Sequence, residues 1–481
     1  MLNILSWIGR VFIPYCKIFS RYASYEWFII VVFGLMIRTD LSGVTGIIRD
    51  LNLNPQLYET LIAFFHSCSF NIKALQREWM LTVKHSGCLF LEDIYTIFIA
   101  DGVKQSKEGK KTPGVKKLRQ ESENSGKASY IFGHHYGVLG VLVGNAKKLF
   151  CTPVSARIHN GVGVIRKWGN PEHEDKSHVV QMILEACEAT LVYGASILLA
   201  DRYFLSVPAL QAWLGYEKEN GKSLLSIVTR AKLSCVAYLK PEPKTKPTRG
   251  RPRKKDEKVN LRNFFNDTSC FTEASVSWYG GKTERIQYLA KDLLWGKKLY
   301  RELRFVFVKR GDALSILVST NLTFTPEQII RLYGYRFKIE VTFKTLKQQI
   351  KGFFPHFWSK SMPKLNRFLP KGSPDPLEGV TDAKDRRNIM KSLKATEAHA
   401  LFSCIAIGML QMISLKFSHK ASSGFRWLRT KSNEYASEAT IADFIRKSFF
   451  RLCQRCPEYP IIHNIVKKQF TCDDTFAPLS A

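Results

Sequence analysis

Apolar and polar positions change their period several times along the chain. Up to about residue 87 they recur at helical spacing, predicting short, tightly connected helices over SGVTGIIRDLNL, PQLYETLIAFF and NIKALQREWMLTV. Asn54 before Pro55 supplies a cap followed by a favoured first-turn proline. This region reads either as a helix-turn-helix DNA-binding module or as a helical cap on the domain that follows. From about residue 88 the pattern turns to strands. LEDIYTIFIADG predicts a buried strand ending at Asp101, and SYIFGHHYGVLGVLV and LFCTPVSARIHNGVG predict two more strands of a meander. HVVQMILEACEATLVYG has helical period, SILLADRYF predicts a second buried strand ending at Asp201, VPALQAWLGYE a helix and SLLSIVTRA a strand.

Three strands, a helix, a strand, a helix and a strand form the order of an RNase H-like sheet. The expected fold is therefore α/β, with an RNase H-like core in two parts, 88–234 and 323–352. Residues 235–322 form a β-rich insertion between them, suggested by the strand-like pieces ASVSWYG, RIQYLAK, ELRFVFVKR and ALSILVSTN. The insertion opens with PEPKTKPTRGRPRKKDEK, an extended or disordered basic stretch. Thr325 and Pro326 cap one long helix, PEQIIRLYGYRFKIEVTFKTLKQQIK, in which Gly334 is an exposed cost rather than a break. The remainder, 353–481, reads as a helical region containing a buried helix over 396–415 and an amphipathic one over ATIADFIRKSFFRLCQR.

Charge narrows the class of partner. Lys and Arg number 72 against 41 Asp and Glu, a net charge of +31. A polyanion, DNA or RNA, accounts for this imbalance, with a membrane surface as the weaker reading. The apolar run Trp27 to Ile37 is too short to span a bilayer, and the basic residues before it interrupt any signal-peptide core. The eleven cysteines are scattered and odd in number, as in a reduced, intracellular protein.

The candidate chemistry lies on the long helix and the two strand ends. Tyr333, Arg336, Glu340 and Lys347 fall within an arc of roughly 60° on one helix face. A carboxylate able to hold a divalent cation is thus flanked by groups that can grip phosphates. Asp101 and Asp201 each close a buried strand, where open α/β sheets place their sites. Two Asp and one Glu can hold two divalent cations, one activating the attacking oxygen and the other stabilising the leaving oxygen.

Together, ADG at Asp101, ADRYF at Asp201 and Y-x2-R-x3-E-x6-K from Tyr333 resemble the DDE transposases of bacterial insertion sequences, in the YREK-signature subgroup (insertion-sequence family four). The resemblance covers residues from about 90 to 352. It implies that Asp101, Asp201 and Glu340 form a catalytic triad binding two Mg²⁺ (or Mn²⁺). It also implies that Tyr333, Arg336, Lys347 and Arg202 contact DNA phosphates near the cut. The implied activity is cut-and-paste transposition: cleavage at terminal inverted repeats and strand transfer into target DNA, without ATP, by a homodimer whose contact would lie in the C-terminal helices. A cytoplasmic, nucleoid-associated location follows.

Other features are less specific. Arg249, Arg251 and Arg253 could enter an A·T-rich minor groove or lie in a solvated basic loop. The basic segment KQSKEGKKTPGVKKLR after Asp101 is expected to form a loop closing over DNA. Trp278 and Trp295 are candidates for stacking on a flipped base, with a core role as the plainer reading. Cys453, Cys456, His463 and Cys472 could be drawn as a zinc site, although Cys453 fits the buried face of a helix. His134 and His135 read as a structural or DNA-facing pair. The competing functions are a catalytically silent, transposase-derived DNA-binding protein and a non-mobile RNase H-like nuclease.

Overall fold

The computed structural model describes all residues except 40–42, 121–127, 222–223, 243–252, 278–282, 369, 371, 423–434 and 471–481. At the start of the chain, helices α1 (Leu2–Phe12), α2 (Tyr22–Ile37), α3 (Thr45–Asp50), α4 (Tyr58–His66) and α5 (Ile72–Lys84) follow one another closely. The expected helix at Pro55 opens as a 3₁₀ turn, Pro55–Leu57, with the Asn54 side chain accepting from the Gln56 N–H. The apolar run Trp27 to Ile37 lies in α2, whose residues from Ser24 onward are all buried.

Strands β1 (Leu91–Glu92), β2 (Tyr95–Ser106), β3 (Lys116–Arg119), β4 (Tyr130–Gly144) and β5 (Leu149–Ile158) come next. They are followed by α6 (Gly163–Gly169), α7 (His178–Tyr193), β6 (Ser196–Leu199), α8 (Val207–Asn220) and β7 (Leu225–Ala231). β4 pairs antiparallel with both β2 and β5, while β6 lies parallel to β2 and to β7. The spatial order is thus β5-β4-β2-β6-β7, with the buried parallel strands at its centre. Their all-apolar sequences reflect burial on both faces.

β2 does not end at Asp101. It runs on to Ser106 because β4 is long enough to pair with it from Asp101↔Val138 to Ser106↔Gly133. The basic segment after Asp101 is correspondingly not one loop, since β3 pairs with β4 and the Lys104 ammonium donates to the Arg119 carbonyl at 2.6 Å.

The insertion is β-rich as expected, with β8 (Val236–Tyr238), β9 (Lys258–Asn260), β10 (Thr272–Ser277), β11 (Thr283–Trp295), β12 (Arg301–Arg310) and β13 (Ala313–Ser319). It does not make a separate sheet. β13 pairs antiparallel with β7 from Val228↔Ser319 to Ala231↔Ile316, so that one mixed sheet of 13 strands runs through core and insertion among the described residues.

The predicted long helix is divided into α9 (Pro326–Tyr335), α10 (Lys338–Thr345) and a π turn, Leu346–Ile350. Thr325 and Gln328 form a complete capping box at its start. Gly334 is exposed and inside α9, as expected, and the interruption falls at Arg336 and Phe337. There the N–H groups of Arg336, Ile339 and Glu340 bond three residues back, a local tightening of the helix.

Beyond lie α11 (Ala383–Ser422), α12 (Glu438–Arg455) and α13 (Pro460–Val466). α11 is far longer than the predicted 396–415 and kinks at Phe417. Over Ala383–Ser418 it is long and apolar enough to cross a membrane, and 83% of its apolar window is buried inside the protein. It packs on β5 and against α2, α4 and α12, so helices from both ends of the chain share one core.

Candidate active site

Asp101 and Asp201 owe their placement to sheet register. The parallel pairing of β2 with β6 ends at Ile99↔Leu199, and each strand carries its aspartate two residues further on. The apolar residues before them are buried on both faces, and a carboxylate is accommodated only where the pair emerges. Asp101 accepts the Gly102 N–H at 2.7 Å, while Asp201 caps the turn that follows, accepting the Tyr203 N–H at 2.9 Å. The Thr229 hydroxyl on β7 donates to the Asp201 carbonyl at 2.5 Å.

Glu340 approaches from α10. The buried face of that helix, Ile339, Thr342 and Phe343, turns toward the sheet, and the Thr342 hydroxyl donates to the Cys151 carbonyl of β5 at 2.7 Å. Below the helix the Lys107 ammonium is buried. It donates to the carbonyls of Phe353, Phe354 and Pro355 at 2.6, 2.8 and 2.8 Å, tying the end of the glutamate-bearing segment to the strand of Asp101. Burial pushes the Lys107 ammonium down to about 7.

The three carboxylates line one open cavity of about 740 Å³, together with Lys104, Gln120, His135, His178, Tyr203, Lys344, Lys347 and Gln348. Arg336 stands between two of them, 2.5 Å from Asp101 and 3.4 Å from Glu340. Burial raises the Asp101 carboxyl to about 7. Asp201 and Glu340 push it the same way, whereas Arg336 and the Gly102 N–H oppose them. Tyr333 is close enough to Arg336, Arg230 and both aspartates to feel their charge, and burial lifts its phenol above the ordinary range. Lys347 donates to the Lys104 carbonyl of β2 at 3.3 Å. Of the four residues predicted to share a face, Glu340 and Lys347 line the cavity and Arg336 reaches Asp101 and Glu340 from the tightened turn.

Whether a metal fits can be judged from the donors. Three carboxylates around an open cavity suit a hard divalent cation such as Mg²⁺. As the side chains stand, no three acidic, His or Cys groups converge as ligands among the described residues, and the Arg336 guanidinium supplies the positive charge between Asp101 and Glu340. Its buried Nε–H has no partner among the described residues, so the two acids leave part of the guanidinium unsatisfied.

Beside Asp201 a second cavity, of about 680 Å³, is lined by Arg202, Arg230, Lys232 and Arg262 with no acidic residue. Of these only Arg202 was legible, as the neighbour of Asp201. The others come from the insertion and the end of β7, which fold brings together.

Arg253 is exposed and lines neither cavity, and Arg249, Arg251 and Trp278 lie outside the described residues. Trp295, at the end of β11, is half-buried against the hydrophobic core. Cys453, Cys456 and His463 form no metal cluster among the described residues, and Cys472 lies outside them. His134 and His135 part company, as neighbours on a strand must. The fully buried His134 bonds the Pro113 carbonyl at 2.8 Å, and His135 faces the cavity with the acids.

With this geometry in hand, sequence comparison adds one finding: residues 162–355 match the family model of the transposase DDE domain. The match supports a DDE transposase. It spans Asp201 and Glu340 and begins after Asp101, which the strand register places beside Asp201. Comparison with curated proteins and with solved structures gives no match. A DDE transposase is in general a DNA-cleaving enzyme, and its domain implies an RNase H-like fold; the architecture observed is mixed α/β with one large mixed sheet among the described residues.

Proposed function

We propose that this protein is a YREK-type DDE transposase that binds the terminal inverted repeats of an insertion sequence and carries out metal-dependent cleavage and strand transfer. The observation that carries the reading is the meeting of Asp101, Asp201 and Glu340, from three distant parts of the chain, on one open cavity bordered by cations. The order β5-β4-β2-β6-β7, with its acids where parallel strands emerge, supports an RNase H-like core.

Asp101, Asp201 and Glu340 would hold the divalent ions, Mg²⁺ or Mn²⁺. When bound, the ions supply activation of the attacking oxygen and charge stabilisation at the phosphorus and leaving oxygen. The chain's own residues do the rest. Lys344 and Lys347 border the cavity where a phosphodiester strand would run, and the Tyr333 phenol and Arg336 guanidinium can donate to its phosphate oxygens. Arg202, Arg230, Lys232 and Arg262 would continue the track past Asp201. The same site serves hydrolysis and strand transfer, because both are in-line displacements at phosphorus, and no ATP enters. Two copies would pair two ends. The buried part of α11 is occupied within the subunit, so a dimer contact in the C-terminal region would use other faces.

The test is nicking of a supercoiled plasmid carrying the DNA that flanks the coding region, with Mg²⁺ or Mn²⁺. Asp101→Ala, Asp201→Ala and Glu340→Ala should each lower nicking by at least about 10³-fold while end binding persists. Undiminished nicking by any one of them removes that residue from the triad.

A further inference from the structure

His135 on β4 and His178 at the start of α7 line the cavity of the three acids, with their rings 4.2 Å apart. Each ring is held from behind through its Nδ1. The Asn160 amide lies 2.8 Å from His135 Nδ1, and His159 Nδ1 lies 2.8 Å from His178 Nδ1. His159 in turn places its Nε2 3.1 Å from a Glu185 oxygen, whose other oxygen receives the Ser155 hydroxyl at 3.1 Å.

The donors and acceptors in these chains guide which nitrogen is assigned each proton. Glu185 accepts, so we assign the His159 proton to Nε2, facing that carboxylate, and its Nδ1 then accepts from His178 Nδ1–H. The Nε2 of His178 is then a bare lone pair. The Asn160 amide donates to His135 Nδ1, so His135 carries its proton on Nε2. Neither Nε2 has a protein partner among the described residues. Both converge on the space over Gly102, where a methyl would come within 2.6 Å of His135 Nε2 and 2.8 Å of His178 Nε2. The glycine following Asp101 therefore leaves a donor and an acceptor side by side, next to the carboxylate.

We propose that His135 and His178 hold the attacking hydroxyl, water in the cleavage step and a 3′-hydroxyl in strand transfer, at the Asp101 edge of the site. A hydroxyl is the group that donates and accepts through a single atom, accepting from His135 Nε2–H and donating to the His178 Nε2 lone pair. A phosphate oxygen only accepts and would satisfy His135 alone. The imidazoles orient the nucleophile and take no net proton. As the new O–P bond forms the hydroxyl proton is released to solvent, and the departing oxygen takes one up as its P–O bond breaks. Glu185 and His159 act as positioning residues that set the tautomer of His178.

This inference rests on the transposase reading, and the experiment separates the two. On the same flanking-DNA plasmid, His178→Ala and His135→Ala should lower the single-turnover nicking rate at saturating protein by about tenfold or more, leaving the half-saturating concentration unchanged. His178→Gln, which restores an acceptor, should recover part of the rate. Gly102→Ala, which fills the space without removing either ring, should show the same loss. ¹⁵N-histidine spectra of the wild-type protein should give the Nδ1–H tautomer for His178 and the Nε2–H tautomer for His135. Wild-type nicking with unaltered rates in both alanine variants, or the reverse tautomer at His178, overturns the histidine assignment and leaves the transposase reading standing. Absence of nicking by the wild-type protein with either ion overturns both.

Discussion

A guanidinium between Asp101 and Glu340 does for these acids what a bound cation would do, and it ties them to the protein in the meantime. Removing it leaves two partly buried carboxylates without their counter-charge. Arg336→Ala is expected to cost about 3 kcal/mol in metal-free buffer, read by urea unfolding. The same variant should show a larger Mn²⁺-induced rise in unfolding temperature than the wild type, because guanidinium and ion would compete for the same oxygens. An equal or smaller rise would show that they do not. At this scale the sequence was informative where residue type carries the chemistry. Asp101, Asp201, Glu340 and the cations around them were legible because acids at apolar strand ends and a charged helix face are costly placements. His135 was read only as half of a structural or DNA-facing pair, and His178 was not legible at all, because it begins an ordinary amphipathic helix. Only its approach to the strand of Asp101, across a glycine, gives it meaning.

Elements were legible in kind more than in extent. Strand β2 outran its predicted end because its continuation is dictated by pairing with β4, and GVKQS carries no β signal of its own. The long helix was interrupted where Arg336 turns to the acids, a tertiary demand that local propensity does not encode. α11 shows what such demands require at close quarters. Gly408 lies where a methyl would approach Trp79 Cζ2 to 2.3 Å, and the Trp79 indole donates to the Pro153 carbonyl at 2.9 Å. Helix α11, helix α5 and strand β5 are thereby fixed against one another. Gly408→Ala gains helix propensity of about 1 kcal/mol yet should destabilise the protein overall by about 1–3 kcal/mol through overpacking. Urea unfolding of this variant beside one at a helical glycine with open space around it, Gly215→Ala in α8, separates the two effects. A net gain in stability at Gly408 would mean that the tryptophan yields.

For the whole molecule, buried imidazoles set the response to acid. Burial holds His134 and His399 down to about 3 and His135 to about 4, and it lowers His178 further. Their unfolded values lie near 6.5, so as pH falls below that point the unfolded chain takes up protons that the folded protein refuses. Stability from these groups is complete above about pH 6.5 and is lost toward about pH 3–4, at up to about 1.4 kcal/mol per pH unit for each. Asp101, raised to about 7, has the opposite slope between its unfolded value and about pH 7, and one such group does not offset four. The urea midpoint should therefore fall between pH 7 and pH 5, and a flat profile would mean that these rings protonate in place. The core shared by both ends of the chain also has a consequence in time. Helix α2 is sealed by α11, α12 and α13, with Lys467 pairing to Glu26 and Arg446 to the Ile37 carbonyl. At the roughly 5–20 residues per second of synthesis, the apolar surface of α2 waits roughly 20 to 90 seconds for the segments that cover it. During that interval one of the chain's most apolar helices is covered only by its N-terminal neighbours, α3, α4 and the 3₁₀ turn Ile13–Ile18, and a chain that stops before α11 never completes that cover. A product that extends through α13 is thus the first in which the C-terminal helices can close over α2, which makes synthesis of that late segment a condition for completing the core.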